Sequence, residues 1–209
     1  MDIGAHTGAY TLAALAVRPD LRVLSFEPHF MNFARLNLNL RANGRPTDGA
    51  FQFGVGARDQ KLPFTVATSV DYLTTGGSFS PHARGLVREV EVIALDAHAD
   101  AAMKASVGVV KIDVEGFEAE CLAGMTGILG SSRPAVLLEC TDAAVGAAAG
   151  AILGEHDYRF VLIDERAQSY APVDAIAPCY DQGGSLDMKK LNRIAIPAEK
   201  WTDFESAHR

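Results

Sequence analysis

DIGAHTG at residues 2–8, leading into the helical run YTLAALAV at 10–17, decides how the rest of the chain folds. Asp2-Ile3 reads as a strand end, and Gly4 and Gly8 bracket a turn that lets backbone approach a ligand closely. The helix start behind the turn offers free N–H groups and partial positive charge, a cradle for a nucleoside or an amino-acid carboxylate. An ordinary strand-to-helix turn would look the same, and the spacing is not the G-x-G-x-x-G of dinucleotide sites. About twenty positions on, SFEP at 25–28 puts Glu27 at the carboxyl end of a strand at 21–26 (LRVLSF). A carboxylate there can accept both ribose hydroxyl protons in the crevice of a doubly wound sheet, or it can cap the helix that begins near His29.

Outward from this turn the hydrophobic period alternates between strand and helix. Strands are predicted at 21–26, 107–114, 135–140, 158–163 and 193–196, and helices at 8–18, 29–42, 117–129 and 143–156, the last Ala-rich and interrupted by Gly146 and Gly150. Such alternation predicts an α/β chain of Rossmann-like type, with a mostly parallel central sheet and helices on both faces. Residues 50–95 break the rhythm: FQFGVG, KLPFTVA and REVEVIAL read as a third sheet strand followed by an inserted hairpin, with TTGGSFSPHARG at 74–85 inside it. The stretch 164–184 holds Pro172, Pro178 and Gly183-Gly184 with little period, and reads as a surface loop or lid. No repeat or linker interrupts the chain, so residues 1–209 are expected to form one domain.

Composition narrows the partners. A chain of 209 residues is long enough to bury roughly 70% of its unfolded surface. Its 48% hydrophobic and 22% charged content is ordinary for a globular protein, and no apolar run approaches the roughly 20 residues that span a bilayer. With 19 basic against 26 acidic residues the net charge is −7, and no Lys/Arg cluster offers a footprint for phosphate backbones. Nucleic acid is therefore not an expected partner, and neither is an anionic membrane. The start has none of the features of a secretory signal, and Cys121, Cys140 and Cys179 are odd in number and widely spaced. Three reduced thiols in a cytoplasmic protein are the expectation.

The block KIDVEGFE at 111–118 separates the nucleoside-binding possibilities. Taken with DIGAHTGAYTL (2–12), SFEPHFMNFARLNLNL (25–40), VKIDVEGFEAECLAGM (110–125), RPAVLLE (133–139) and LNRIAIP (191–197), it resembles the FkbM family of methyltransferases. The resemblance runs over almost the whole chain in the family's order, and it implies a class I methyltransferase fold with S-adenosyl-L-methionine as cofactor. It further implies that Asp2, Gly4 and Gly8 line the methionine half of that cofactor, that Glu27 takes its ribose and that Asp113 sits near the transferable methyl. The family usually has Asn where this chain has His6, which can still hydrogen-bond the methionine part or serve the turn alone. The acceptor implied is an oxygen, a hydroxyl on a sugar, another glycan or a small metabolite.

Methyl transfer needs in-line approach above all, and a hydroxyl acceptor must also lose a proton, for which a carboxylate within hydrogen-bond reach suffices. Asp113 at a strand's carboxyl end and Glu115 just beyond are the best-placed candidates, with Lys111 and Glu139 behind them. The alternative is structural: Glu115 and Glu118 would favour the start of the next helix, with Asp113 as its cap. No second ligand for a divalent metal is identifiable, so no metal is assigned, and His29, His82 and His98 are scattered as surface or core histidines are. Two other functions stay open: a nicotinamide-dependent oxidoreductase using Gly4 and Glu27, and a cofactor-binding module without turnover. Groups that contact the acceptor are expected in 68–86 and 164–184. Finally, Asp2-Ile3-Gly4 is only a stub of a strand that should lie at the sheet's centre, so the chain reads as an N-terminally shortened version of a longer protein.

Overall fold

The computed structural model describes residues 1–66, 77–79 and 85–207. The chain opens as strand β1 (Asp2–Ile3), helix α1 (Ala9–Val17), strand β2 (Ser25–Phe26), helix α2 (Phe30–Ala42) and strand β3 (Ala50–Phe51). Strands β4 (Gly54–Val55), β5 (Gln60–Val66), β6 (Gly77–Ser78) and β7 (Leu86–Ile93) follow, then short helices α3 (Leu95–His98) and α4 (Ala101–Lys104). Next come β8 (Val109–Ile112), α5 (Glu118–Ala123), α6 (Thr126–Ser132), β9 (Ala135–Glu139) and α7 (Ala143–Glu155). The rest is β10 (Tyr158–Asp164), β11 (Ser169–Val173), β12 (Asn192–Pro197), a 3₁₀ turn at Ala198–Lys200 and α8 (Trp201–Ala207).

Eight strands form one sheet in the order β11-β10-β12-β9-β8-β1-β2-β3. Helical crossovers make β9, β8, β1, β2 and β3 parallel, as the alternation predicts, whereas β12 enters antiparallel between β9 and β10, and β11 pairs antiparallel with β10. The sheet is therefore mixed. From β1 the chain moves outward to β2 and β3, then returns to build β8 and β9 on the other flank. The reversal between β1 and β8 is the kind of switch point at which open α/β sheets bind ligands, beyond the strands' carboxyl ends.

Side-chain alternation shows helices on both faces. Ile3, Ile112 and Leu138 point into a core shared with Leu122 of α5, Met125 at the α5–α6 junction, Ile128 and Leu129 of α6 and Leu153 of α7. Asp2, adjacent to Ile3, points the other way and is bonded to Thr11 of α1, beside the cluster of Ala5, Leu15, Leu36 and Leu40. Farther along, Phe160 and Ala195 join the first core, while Val161 and Ile196 pack on Trp201 of α8. Arg193 is 2% exposed, and its guanidinium bonds to the carbonyls of Lys190 (2.7 Å), Asn192 (3.1 Å) and Ala177. It thereby ties the segment before β12 to the sheet.

Several boundaries differ from the sequence expectation. The strand at 21–26 pairs only over Ser25–Phe26, which lie opposite Asp2-Ile3 of β1 on one side and Ala50-Phe51 of β3 on the other. The helix at 117–129 is two helices meeting at Gly124-Met125: the Gly124 carbonyl accepts from the Asp96 N–H (2.9 Å), and a Cβ on Gly124 would overlap the Gly56 carbonyl. The loop at 164–184 contains β11 despite Pro172, since β11 is an edge strand whose outer side needs no N–H. The inserted hairpin is the β5–β7 pair of a four-stranded sheet ordered β4-β7-β5-β6. Residues 67–76 and 80–84, with His82 and most of 74–85, lie outside the described residues.

Gly4 has φ +77, and a Cβ there would collide with the Asp113 carbonyl, whereas Gly184 has φ +79 with nothing within 4 Å of such a Cβ. Gly184→Ala should therefore cost only the left-handed conformation, about 1–2 kcal/mol. Gly4→Ala should cost about 3 kcal/mol or more, because it adds the collision to the same strain. Urea unfolding midpoints of the two variants check this, and equal losses would refute it.

Candidate active site

A cleft opens beyond the carboxyl ends of β1, β2 and β8, and its floor is the glycine turn. The N–H groups of Gly4 and Ala5 both donate to the Phe26 carbonyl (2.9 and 3.0 Å), fastening the turn to β2. His6 follows at φ +51 and donates its N–H to Glu27 Oε2 (2.8 Å), while the His29 N–H donates to Glu27 Oε1 (2.9 Å). Glu27 is 5% exposed, and burial raises its pKa against the opposing pull of those N–H donors. The sequence marks Glu27 as a strand-end acid; the structure adds that it clamps the turn to the start of α2. The Asn32 side chain also hydrogen-bonds this carboxylate, which leaves about one of its roughly four lone-pair sites for a ligand.

The KIDVEGFE block supplies the opposite wall. Asp113 lines the cleft, and its Oδ2 accepts from Lys111 Nζ at 2.9 Å. Glu115, also at the cleft, adopts φ +53. His6 and Glu115 are thus two non-glycine residues in left-handed conformation facing one cavity, a strain that typically persists where surrounding structure and function require it. Glu118 is 3% exposed and accepts the Gly116 N–H (3.2 Å). Glu139 follows Leu138, which pairs with Ile112 just before Asp113, so the two acids are neighbours across β8 and β9.

Burial sets the protonation of this wall. It raises the pKa of Glu118, and of Glu115 with help from Asp113. Glu139 is pushed up to about 7, first by burial and then by Asp113, Glu115 and Glu118, with Lys111 opposing. Burial also lowers the His6 pKa, outweighing the attraction of Asp113, which favours a neutral imidazole. Among the described residues, no three His, Cys, Asp or Glu side chains are arranged to hold a metal ion.

Gly4, His6, Glu27, Asp113 and Glu115 thus meet at one cleft, and Lys111 stands behind them through its bond to Asp113. Asp2 and Gly8 do not line it. The Asp2 carboxylate is 3% exposed and turned beneath α1, where Oδ2 accepts from Thr11 Oγ1 (2.6 Å) and Thr11 in turn meets Ser25 Oγ (2.8 Å). Gly8, at φ +89, is the N-cap of α1 and packs on Leu36. Sequence reasoning missed Asn32, Phe64 and Phe79, which also line the cleft. Asn32 is legible as the first inward position on α2, one turn before Leu36 and two before Leu40, but the two phenylalanines come from the inserted sheet, where no local pattern marks them. Phe79 lies between Phe64, which it meets edge-on at a centroid distance of 4.9 Å, and Phe117, against which it is tilted at 4.6 Å.

A solved structure shares this fold. The crystal structure of methyltransferase FkbM from Methylobacillus flagellatus is similar, with TM-score 0.55 and 17% identity over 93% of this chain and 42% of that one. The chain thus spans less than half the length of that relative. A precorrin-6y C5,15-methyltransferase from Geobacter metallireducens has TM-score 0.48 and 13% identity, over 94% of this chain and 78% of that one. No curated protein matches the chain. Among the described residues no helix is long and apolar enough to cross a membrane. The family model for the methyltransferase FkbM domain matches residues 2–161, which carry every residue of the cleft, and the chain belongs to that family.

Proposed function

We propose that the chain is a methyltransferase that binds S-adenosyl-L-methionine in this cleft and methylates a hydroxyl oxygen of a sugar, a larger glycan or another small metabolite. The observation that carries the reading is that Glu27 and Asp113 face one cleft at the switch point, on either side of the Gly4 turn. The residues present fit the cofactor. A ribose hydroxyl meets the remaining acceptor site of Glu27 beside Asn32, and the ring wall of Phe64 and Phe79 suits a purine. A methionine carboxylate meets the first turn of α1, where Leu12 N–H to Gly8 O is the first helical bond and the three preceding N–H groups have no helical acceptor. The three cysteines are unpaired, in keeping with work in a reducing cytoplasm.

When bound, S-adenosyl-L-methionine supplies an electrophilic methyl group on a sulfonium. The chain's part is to orient the acceptor oxygen, worth roughly 7–11 kcal/mol in well-aligned systems, and to take up its proton. Asp113 and Glu115 line the cleft and can hold that hydroxyl. Glu139, with a pKa near 7, can take a proton and release it to water in the neutral range, where a general base works best and typically contributes about 10²–10⁴-fold. Calorimetry with S-adenosylhomocysteine, followed by a screen of hydroxylated acceptors with methyl-labelled cofactor, tests the proposal. Absence of binding at millimolar concentration refutes it, and bound NADH displaced by no adenosyl compound would favour the oxidoreductase.

Two variants give sharper outcomes. Glu27→Ala strips the acceptor from both N–H groups and so harms folding as well, whereas Glu27→Gln keeps the shape and one acceptor oxygen, removes the charge and loses one of the two N–H bonds. Glu27→Gln should bind S-adenosylhomocysteine about 10- to 150-fold more weakly, equivalent to about 1.5–3 kcal/mol for a charged hydrogen bond, with cooperative unfolding retained. Unchanged affinity would remove Glu27 from the site. For Glu139 the sign follows from its raised pKa: the folded state holds the proton, so its contribution to stability is full below about pH 4.5 and lost as pH rises through about 7. Glu139→Gln carries no such loss, so its melting temperature relative to the parent should be higher at pH 8 than at pH 5. Each kcal/mol of that difference moves the midpoint by about 2–4 °C. Scanning calorimetry at both pH values checks this, and an offset independent of pH would contradict the raised pKa.

A further inference from the structure

We propose that Tyr10 is a positioning residue of this cleft, its ring holding the Lys111 ammonium against Asp113 so that the carboxylate keeps a fixed aim. The inference rests on the reading that the cleft binds S-adenosyl-L-methionine. Lys111 is 8% exposed, unusual for a lysine unless its charge is met. In the β1–β8 register it lies opposite Asp2, on the sheet face that α1 covers. Tyr10 is the second residue of α1, and the Lys111 Nζ sits over its ring, 4.1 Å from the centroid. The same Nζ donates to Asp113 Oδ2 at 2.9 Å. The ammonium is thus held between an aromatic face and a carboxylate.

The two contacts do different work. A lysine and an aspartate two apart on one strand end form a pair that water loosens readily when both are exposed. Here the Lys111 side chain is only 10% exposed while that of Asp113 is 38% exposed, so the pair is dry on the lysine side. Tyr10 keeps it so: its ring occupies the ammonium's open side and attracts it through the ring quadrupole. With Oδ2 tied to Lys111, Asp113 has its other oxygen for the cleft it lines. Tyr10 itself is 52% exposed, so the core gains little from it, and its phenol oxygen is not needed for the stack. Because Tyr10 stands one residue past the Gly8–Ala9 junction, the stack also joins the glycine turn to the end of β8 through side chains.

The test compares Tyr10→Phe, which keeps a ring, with Tyr10→Leu, which keeps bulk without one. Lysine reactivity toward acetic anhydride, read site by site by mass spectrometry, should be low at Lys111 in the parent and in Tyr10→Phe. It should rise about tenfold in Tyr10→Leu, while exposed Lys61 stays constant as the control for folding. S-adenosylhomocysteine affinity should fall about fivefold or more in Tyr10→Leu, stay within twofold in Tyr10→Phe, and not respond to Tyr10→Leu in a Lys111→Met background. Parent-like labelling and affinity in Tyr10→Leu would overturn the inference. If the parent binds no adenosyl compound, the cofactor reading fails, and the labelling still decides whether Tyr10 holds Lys111.

Discussion

The close approach of the Gly4 backbone to the Asp113 carbonyl is the constraint on which the other arrangements depend. β1 contributes two residues to the sheet, Asp2 and Ile3, and the chain must then turn at once across the end of β8. Only a residue without a side chain passes there. Once it does, two N–H groups fall on the Phe26 carbonyl, and the His6 N–H falls on Glu27. The turn is then fastened on both flanks, to β2 by hydrogen bonds and to β8 by contact. Glu27 and Asp113 owe their shared cleft to that fastening, so the site is a by-product of the same packing that closes the centre of the sheet.

This explains why the fold was legible from one short stretch and where legibility ended. α1, α2 and α7 begin and end within a residue of the positions set by Gly8, by Pro28-His29 and by Asp142, because local signals govern them; the Asp142 side chain caps α7 through the Ala144 and Val145 N–H groups. The break at Gly124 answers to Gly56, nearly seventy residues away, and no local pattern records that. Pro172 argues against a strand until the strand is known to lie at an edge. In the site, Gly4, Glu27, Asp113 and Glu115 were readable because residue type and strand-end position coincide. Asp2 has the same kind of signature but sits one residue too early, and strand alternation turns it under α1 toward Thr11.

Acidic side chains crowd the far wall of the cleft, and their neutralisation is shared. Lys111 pairs with Asp113, backbone N–H groups serve Glu118, and Glu139 is left to hold its proton into the neutral range. Fully ionised, four neighbouring carboxylates would repel one another and any anionic acceptor. Partial protonation lets the wall stay compact while keeping a group able to exchange a proton near neutral pH.

The position of β12 bears on how the protein is made. β9 and β10 are separated in the sheet by a strand that follows β10 in sequence by nearly thirty residues. At about 5–20 residues per second, a ribosome releases β12 some seconds after β10. Until then β9 lacks its outer neighbour, and β10 and β11 form a hairpin with an open edge rich in Phe160, Val161 and Leu162, which is a template for unwanted pairing with other chains. Arg193 and Trp201, arriving with and just after β12, close that interval from both faces of the sheet. The parallel half can assemble as it emerges; the antiparallel half must wait for its middle strand.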